Sequence, residues 1–181
     1  MPITTRRAVP ADAADLHDLA ARTFGLACPP GTTQADIDAF VADHLSVADF
    51  DRYLADEDRI LLLAEDGGTA VGYTMLVGGP IADTDVRAVV DEKTSIELSK
   101  CYVDAGNHGS GVATALMAAT LAAARATGAE SCWLGVNQQN ERAARFYAKN
   151  GFAVVGTKRF LVGGEWHDDH VRVLSFSSTD R

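Results

Sequence analysis

Apolar residues recur along the chain with two periods, one typical of helices and one typical of strands. Helical spacing predicts a helix over residues 12–24, where Asp12 can cap the first turn, and a helical region over 33–55, which begins after Thr33. Short apolar runs bounded by turn residues predict strands over 3–9, 59–65, 70–77, 94–103, 131–136, 152–162 and 166–176. Two glycine pairs, Gly67-Gly68 and Gly163-Gly164, are typical of hairpin turns.

The second half of the chain alternates strands with helices. Helices are predicted over 111–127 and 140–150, and Gly128 and Gly151 follow their ends. Since hairpins and helical crossovers occur together, we expect an α/β fold with a central mixed sheet flanked by helices. Residues 83–92 are acidic and lack a period, which predicts a mobile surface loop with a lid over a substrate as one role. The polar segment 177–181 is predicted to be a frayed tail.

Composition limits the class of protein. A chain of 181 residues with 47% hydrophobic and 23% charged content predicts one soluble globular domain, 1–181. The net charge of −9 argues against nucleic acid or a membrane as partner and is compatible with a cationic substrate. Cys28, Cys101 and Cys132 are odd in number and lack CxxC spacing, so we expect a reducing, cytoplasmic compartment.

The candidate chemistry lies in residues 97–152. The strand over 94–103 leads through four linker residues to His108-Gly109-Ser110-Gly111, where a helix begins. Free backbone N–H groups and the positive end of the helix favour an anion there, most simply a phosphate. A Rossmann loop would need a further glycine at Thr114, and a Walker loop would need Gly-Lys-Ser/Thr. On the residues alone, a glycine-rich connecting turn stays the alternative.

Two motifs in this stretch resemble those of the GCN5-related N-acetyltransferases (GNAT). Residues 108–113 are similar to the family's pyrophosphate loop, Gln/Arg-x-x-Gly-x-Gly/Ala, with His108 in the first position. Asn140-x-x-Ala-x-x-Phe-Tyr147-x-x-x-Gly-Phe resembles its second signature. The resemblance implies the GNAT fold with a splayed sheet, acetyl-CoA as co-substrate and direct N-acetyl transfer. Glu97-Leu-Ser-Lys-x-Tyr-Val and Cys28-Pro-Pro-Gly also resemble the PaiA-type spermidine/spermine acetyltransferases, which implies a polyamine or another small amine as acceptor.

The resemblance implies a role for each motif residue. Backbone groups of Cys101, Tyr102 and Val103 would bind the pantetheine arm and the acetyl carbonyl. The pyrophosphate would lie on His108, Gly109, Ser110, Gly111, Val112, Ala113 and Thr114. Asn140, a good helix cap in its own right, would also bond to the cofactor. Tyr147 would protonate the departing CoA thiolate, although a core aromatic with a satisfied hydroxyl is the alternative.

Glu97 lies fourteen residues before Gly111, where the resemblance to histone acetyltransferases of the family implies a catalytic glutamate. An amine that resembles lysine has a pKa of about 10.4, so a carboxylate that attracts the cation and accepts its proton suits the reaction. A solvated strand glutamate is the alternative. Strict strand alternation places Glu97, Ser99, Cys101 and Val103 on one side and Leu98, Lys100 and Tyr102 on the other. It does not say which side faces the substrate.

Three histidines are set aside. His167 and His170 would point to opposite faces of a strand, so we expect no metal site, although Asp168 or Asp169 is a candidate for recognising a cation. His44 lies in an apolar stripe and is predicted to be a core or boundary residue. The resemblance also implies a homodimer. A non-catalytic, regulatory acetyl-CoA-binding protein and an acetyltransferase of a protein amine stay as alternative functions.

Overall fold

The computed structural model describes residues 2–177, and the predicted tail at 177–181 lies outside that range beyond Ser177. Within the described residues seven strands form one sheet in the order β1-β2-β3-β4-β5-β7-β6. All neighbouring strands run antiparallel except β4 and β5, which are parallel. The predicted mixed sheet is therefore confirmed. The strands are β1 (Ile3–Arg7), β2 (Arg59–Asp66), β3 (Thr69–Val77), β4 (Ser95–Val103), β5 (Ser131–Asn137), β6 (Ala153–Val162) and β7 (Glu165–Ser175).

Helices cover both faces of the sheet. They are α1 (Ala13–Thr23), α2 (Gln34–His44), α3 (Val47–Ala55), α4 (Thr84–Arg87), α5 (Val112–Ala126) and α6 (Glu141–Lys149). Strand β2 shows why both faces need a cover, because its central run is apolar at successive positions. Leu61 and Leu63 pack with α1, α2 and α3, whereas Leu62 and Ala64 pack with α5. Alternation along the strand sends neighbouring leucines into opposite layers.

Side-chain caps decide where the first helices begin. The region predicted over 33–55 is two helices, because Ser46 starts a capping box that opens α3. The Asp49 carboxylate accepts the Ser46 N–H at 2.9 Å, and the Ser46 hydroxyl accepts the Asp49 N–H at 3.1 Å. Asp12 was predicted to cap the first turn of the helix over 12–24, but its side chain has other partners. Its carboxylate accepts the Val9 N–H at 2.7 Å and pairs with Arg6 at 2.8 Å, so it fastens β1 to the turn before α1.

The acidic segment is not the surface loop that its composition predicts. Asp83 accepts the N–H groups of Asp85 and Val86 and so caps α4. Apolar residues of the segment form a small core with side chains of β5 and β7, namely Ile81, Val86, Val90, Trp133 and Val171. Their uneven spacing follows no helical or strand period, which is why sequence periodicity missed them.

The parallel strands β4 and β5 separate part-way along their length. They pair at three positions, which end at Glu97 opposite Trp133. Beyond that point β4 continues beside β3 as far as Val103, and β5 continues beside β7 as far as Asn137. The predicted splay is thus a fork in the middle of the sheet. Among residues 2–177, no helix is both long and apolar enough to cross a bilayer.

Candidate active site

Two cavities meet in the fork between β4 and β5. The larger has a volume of about 420 Å³ and lies beside the glycine loop and α6. The smaller, of about 220 Å³, lies between the fork and the segment that joins α1 to α2. We call them the loop groove and the fork cavity. Cys101, Tyr102, Asn140, Ala143 and Tyr147 line both, so these residues mark the junction.

The free edge of β4 presents backbone groups to the loop groove. The Asp104 N–H donates to the Val71 carbonyl at 2.8 Å, which fixes the hydrogen-bonding phase of β3 and β4. In an antiparallel pair such bonds recur at every second residue. Tyr102 is therefore bonded to β3, whereas the backbone groups of Cys101 and Val103 point into the fork. The predicted use of the Tyr102 backbone is not available, and its ring lines the cavities instead.

A β-bulge in β4 overturns the predicted alternation. Met75 pairs with Lys100 and Leu76 pairs with Leu98, which leaves Ser99 as an extra residue. Leu98 and Cys101 consequently share the face that packs on α5 and α6. Lys100 lies on the opposite face, with its ammonium 5.8 Å from the Tyr53 ring centroid. Glu97 also lines the fork cavity, so the bulge brings Glu97 and Lys100 to one site.

The glycine loop turns sharply at the start of α5. Gly109 and Gly111 have φ angles of +80° and +90°, and a Cβ at either would meet nothing within 4 Å. The loop therefore needs glycine for its backbone angles and leaves open space beside the helix N-terminus. His108, Gly109, Gly111, Ala113 and Thr114 line the groove, whereas the Val112 side chain is fully buried against β2 and β3. Ser110 is exposed outside the lining.

His108 stabilises the loop. Its Nε2 lies 2.9 Å from the carbonyl oxygen of Val103, which is the last residue of β4. The neutral ring with a proton on Nε2 donates that bond and leaves Nδ1 as an acceptor, whereas the imidazolium form has a donor on Nδ1 as well. His108 thus closes the loop back onto the strand that precedes it.

Helix α6 supplies the remaining wall. Asn140 caps the helix by accepting the Ala143 N–H at 3.2 Å. Ala143, Phe146 and Tyr147 share the buried face, as their spacing predicts. The Tyr147 hydroxyl lies beside the Cys101 thiol, and the ring packs edge-on against Phe152. Burial, and then the neighbouring Cys101 and Tyr102, raise the pKa of Tyr147 well above its ordinary value, so the hydroxyl holds its proton.

The fork cavity contains two carboxylates and two ammonium groups. They belong to Glu97 and Lys100 of β4, Lys158 of β6 and Asp169 of β7. Burial raises the pKa of Glu97, and nearby Lys158 and Lys100 oppose that change. Burial, and then Arg59, lower the pKa of Lys100 to about 8, although Glu97 favours its charged form. The Lys158 ammonium lies 3.9 Å from Asp169 Oδ2.

Gly135 makes room for this pair. A Cβ at position 135 would lie 2.6 Å from Lys158 Cε and 3.4 Å from Asp169 Oδ2. The absent side chain leaves space for Lys158, which belongs to β6, to extend over β7 as far as β5. Aromatic residues close the other side of the cavity, where Phe24 stacks on Phe40 at 4.2 Å and Phe160 lies 5.8 Å from Phe40.

Comparison with known proteins identifies the scaffold. Residues 15–152 match the family described as the acetyltransferase (GNAT) family. The chain is also 46% identical over 162 residues to Rv2669 of Mycobacterium tuberculosis, described as an uncharacterized N-acetyltransferase, which covers 90% of this chain and 96% of that protein. The chain belongs to the GNAT family. The prediction that it is an enzyme of the N-acetyltransferase class is confirmed.

Solved structures of GNAT proteins share the whole architecture. The PaiA N-acetyltransferase of Thermoplasma acidophilum, solved with coenzyme A, superposes with a TM-score of 0.77 at 19% identity over 97% of this chain and 100% of that one. YncA of Salmonella typhimurium, solved with its cofactor acetyl-CoA, gives a TM-score of 0.67 at 21% identity over 98% of this chain and 96% of that one. At these identities the likeness shows the GNAT fold.

Within this GNAT chain, sequence reasoning missed three charged residues that line the cavities. Lys158 comes from the final hairpin and reaches the site because β7 pairs with β5. Arg142 of α6 lines the loop groove. Strict alternation placed Lys100 on the face opposite Glu97, whereas the bulge puts both on the same face. His44 is exposed and lines neither cavity, and Asp168 is likewise exposed outside both.

Proposed function

We propose that the protein transfers an acetyl group from acetyl-CoA directly to a small primary amine. The observation that carries this proposal is the meeting of the loop groove and the fork cavity at the Cys101–Tyr147 pair. A phosphate-bearing donor fits one cavity and a charged acceptor fits the other. The GNAT proteins solved with coenzyme A and with acetyl-CoA support the choice of donor.

The residues of the loop groove suit such a donor. Amide N–H groups at the start of α5 and the adjacent helix dipole favour the pyrophosphate. Arg142 adds a positive charge to the same groove. The Cys101 backbone groups and the Val103 N–H point into the fork and can bond with the amides of the pantetheine arm, whereas the Val103 carbonyl lies against His108. When bound, the thioester supplies the activated acetyl group.

In the proposed reaction, groups of β4 and α6 would stabilise the developing charge and transfer the protons. An N–H of β4 that points into the fork would stabilise the oxyanion of the addition step. Tyr147 would give its proton to the departing sulfur, because its raised pKa keeps the hydroxyl protonated until the thiolate forms. Glu97 would attract the ammonium group into the cavity and pass its proton on through water, because it lies at the base of the fork.

The charges of the fork cavity bear on which amine is the acceptor. The PaiA likeness favours a polyamine, and the carboxylates of Glu97 and Asp169 suit a cation. Lys100 and Lys158 line the same cavity and would repel a second positive charge placed beside them. A homodimer and a cytoplasmic location stay predictions.

The test is release of CoA from acetyl-CoA across a panel of amines. The panel contains spermidine, spermine, simple monoamines, amines that carry a carboxylate and a lysine-containing peptide. We expect saturable turnover with at least one small amine. Turnover with the peptide alone would replace the proposal with protein acetylation. Binding of acetyl-CoA without any turnover would favour a non-catalytic binding protein.

The glycine loop allows a matched test of donor binding. Gly111 and Gly128 lie at opposite ends of α5 with φ angles of +90° and +87°, and a Cβ at either meets open space. Replacing either by alanine should lower the free energy of unfolding by about 1–2 kcal/mol, because L-residues disfavour this conformation. Only Gly111→Ala should also weaken acetyl-CoA binding, by about tenfold for the loss of one hydrogen bond. Equal CoA affinities in the two variants, measured by calorimetry, would contradict the assignment of the loop.

A further inference from the structure

We propose that Asp169 is the group that contacts the acceptor ammonium and takes its proton first, ahead of Glu97. This inference rests on the proposed acetyl transfer to an amine. It assigns a specific carboxylate on β7, outside both GNAT motifs, as the direct proton acceptor.

The register of the sheet places Asp169 level with the junction of the cavities. Glu97 and Trp133 are the last pair before the fork. Asn137, four residues beyond Trp133, pairs with Asp169, so Asp169 lies about 13 Å above the fork. Cys101 lies four residues beyond Glu97, and the bulge shortens that distance slightly. Asp169 therefore lies level with the Cys101–Tyr147 pair, whereas Glu97 lies at the base of the fork.

Electrostatics agree with this placement. Asp169 acts on the ring hydroxyl of Tyr102, which lines the junction, and contributes to raising its pKa. Glu97 acts on Lys100, which belongs to the same strand. Lys158 lies directly opposite Asp169 in the sheet and acts on both carboxylates, so it links Glu97 to Asp169.

One oxygen of Asp169 lacks a donor. The residue is 6% exposed, and Oδ2 lies 3.9 Å from the Lys158 ammonium. Its Oδ1 is fully buried and accepts no hydrogen bond from any of residues 2–177. A buried carboxylate oxygen without a donor is costly, and an ammonium group entering the cavity would satisfy it. Asp169 lines the fork cavity, so its carboxylate lies beside the space proposed for the acceptor.

The surroundings of Asp169 suit proton transfer. Burial raises the pKa of its carboxyl, while Lys158 and two histidines on its own strand oppose the change. A carboxylate with a raised pKa is a stronger base than an exposed one. The charged or titratable groups that face it or share its cavity are Lys158 of β6, Tyr102, Cys101, Glu97 and Lys100 of β4, Tyr147 of α6, Cys28 before α2, and His167, Asp168 and His170 of β7.

Asp169 takes one proton from the ammonium, which leaves a neutral amine with a free electron pair on nitrogen. That pair forms the C–N bond at the thioester carbonyl, and the C–S bond then breaks with its electron pair on sulfur. Tyr147 protonates the sulfur, and the second proton lost by nitrogen replaces the tyrosine proton through solvent. Asp169 returns its proton to solvent, so each turnover yields amide, CoA thiol and one released proton.

The test compares Asp169→Asn with Glu97→Gln and with Asp168→Asn, an exposed neighbour outside both cavities. We expect Asp169→Asn to lower kcat by about 100-fold or more and to raise KM for the amine, with KM for acetyl-CoA unchanged. Glu97→Gln should lower kcat by about tenfold or less, because it acts through water, and Asp168→Asn should match the wild type. In the pH profile of kcat/KM, the decrease at acidic pH that protonation of Asp169 causes should be absent from Asp169→Asn. A larger loss in Glu97→Gln than in Asp169→Asn would overturn the inference.

A second variant guards against a general structural effect. Asp169→Ala leaves room for a free carboxylate, and added formate should restore at least about tenfold of the lost turnover. Formate should not rescue Tyr147→Phe. Acetyl-CoA affinity equal to wild type in Asp169→Ala, without rescue by formate, would overturn the role in proton transfer. If wild type turns over no amine at all, the proposed function fails instead, so the two failures are distinguishable.

Discussion

Tyr147→Phe is expected to lower kcat by about 100-fold and to leave the affinity for acetyl-CoA unchanged. Tyr147 lines the junction of the two cavities beside the Cys101 thiol, so its hydroxyl can reach a sulfur atom placed there. Removing a general acid typically costs a factor of 100 to about 10,000, and the lower end applies because water can enter a cavity open to solvent. Steady-state kinetics with the best amine of the panel, together with calorimetric CoA binding, measure both quantities.

Tyr53→Phe is the matched control for this variant. The Tyr53 hydroxyl donates to the His44 carbonyl at 2.8 Å and lies outside both cavities. Its loss should lower stability by about 1 kcal/mol, with kcat within about twofold of wild type. A Tyr147→Phe enzyme with wild-type kcat would show that Tyr147 contributes packing alone and that another donor protonates the sulfur.

Phe152→Ala is expected to have the largest effect on stability, about 3–5 kcal/mol. Phe152 is 1% exposed and packs with α5, β5 and the buried face of α6. Its ring centroid lies 6.0 Å from that of Tyr147 at an interplanar angle of 69°. The substitution therefore removes support from the proposed acid as well as apolar area from the core. Urea unfolding measures the change in the free energy of unfolding.

Trp166→Ala provides the comparison for a large aromatic at the surface. Trp166 is 56% exposed and stacks with the Arg159 guanidinium at 4.8 Å. Its removal should cost about 1 kcal/mol or less, because little apolar area is buried there and exposed cation–π contacts are weak. Similar decreases in the free energy of unfolding for Phe152→Ala and Trp166→Ala would contradict the prediction that burial determines the contribution of each aromatic residue.

Local patterns predicted the parts of the site that depend on neighbours in sequence. Gly111 at the start of α5, the Asn140 cap and the buried face around Tyr147 all follow from residues within two turns. The strands and their hairpins were predicted within a few residues for the same reason. The family followed from two such motifs in order.

Features that depend on distant partners were not predictable in the same way. The bulge at Ser99 arises from how β4 pairs with β3, so alternation within β4 alone gave the wrong faces. Lys158 meets Asp169 because β6 pairs with β7, and both reach the fork because β7 pairs with β5. The small core under α4 combines Val86 with Trp133 and Val171, which lie well apart along the chain. Hydrophobic period carries no information about such pairings.

The fork also divides recognition between two kinds of atoms. On the free edge of β4, Cys101 and Val103 offer main-chain groups, which every amino acid possesses. Around the fork cavity, side chains such as those of Lys100 and Lys158 would set the proposed choice of acceptor. Side-chain substitutions that change which acceptor is bound can therefore leave the main-chain hydrogen bonds to the donor unchanged. A scaffold of this kind can therefore change its acceptor while the main-chain contacts to the acetyl donor stay the same.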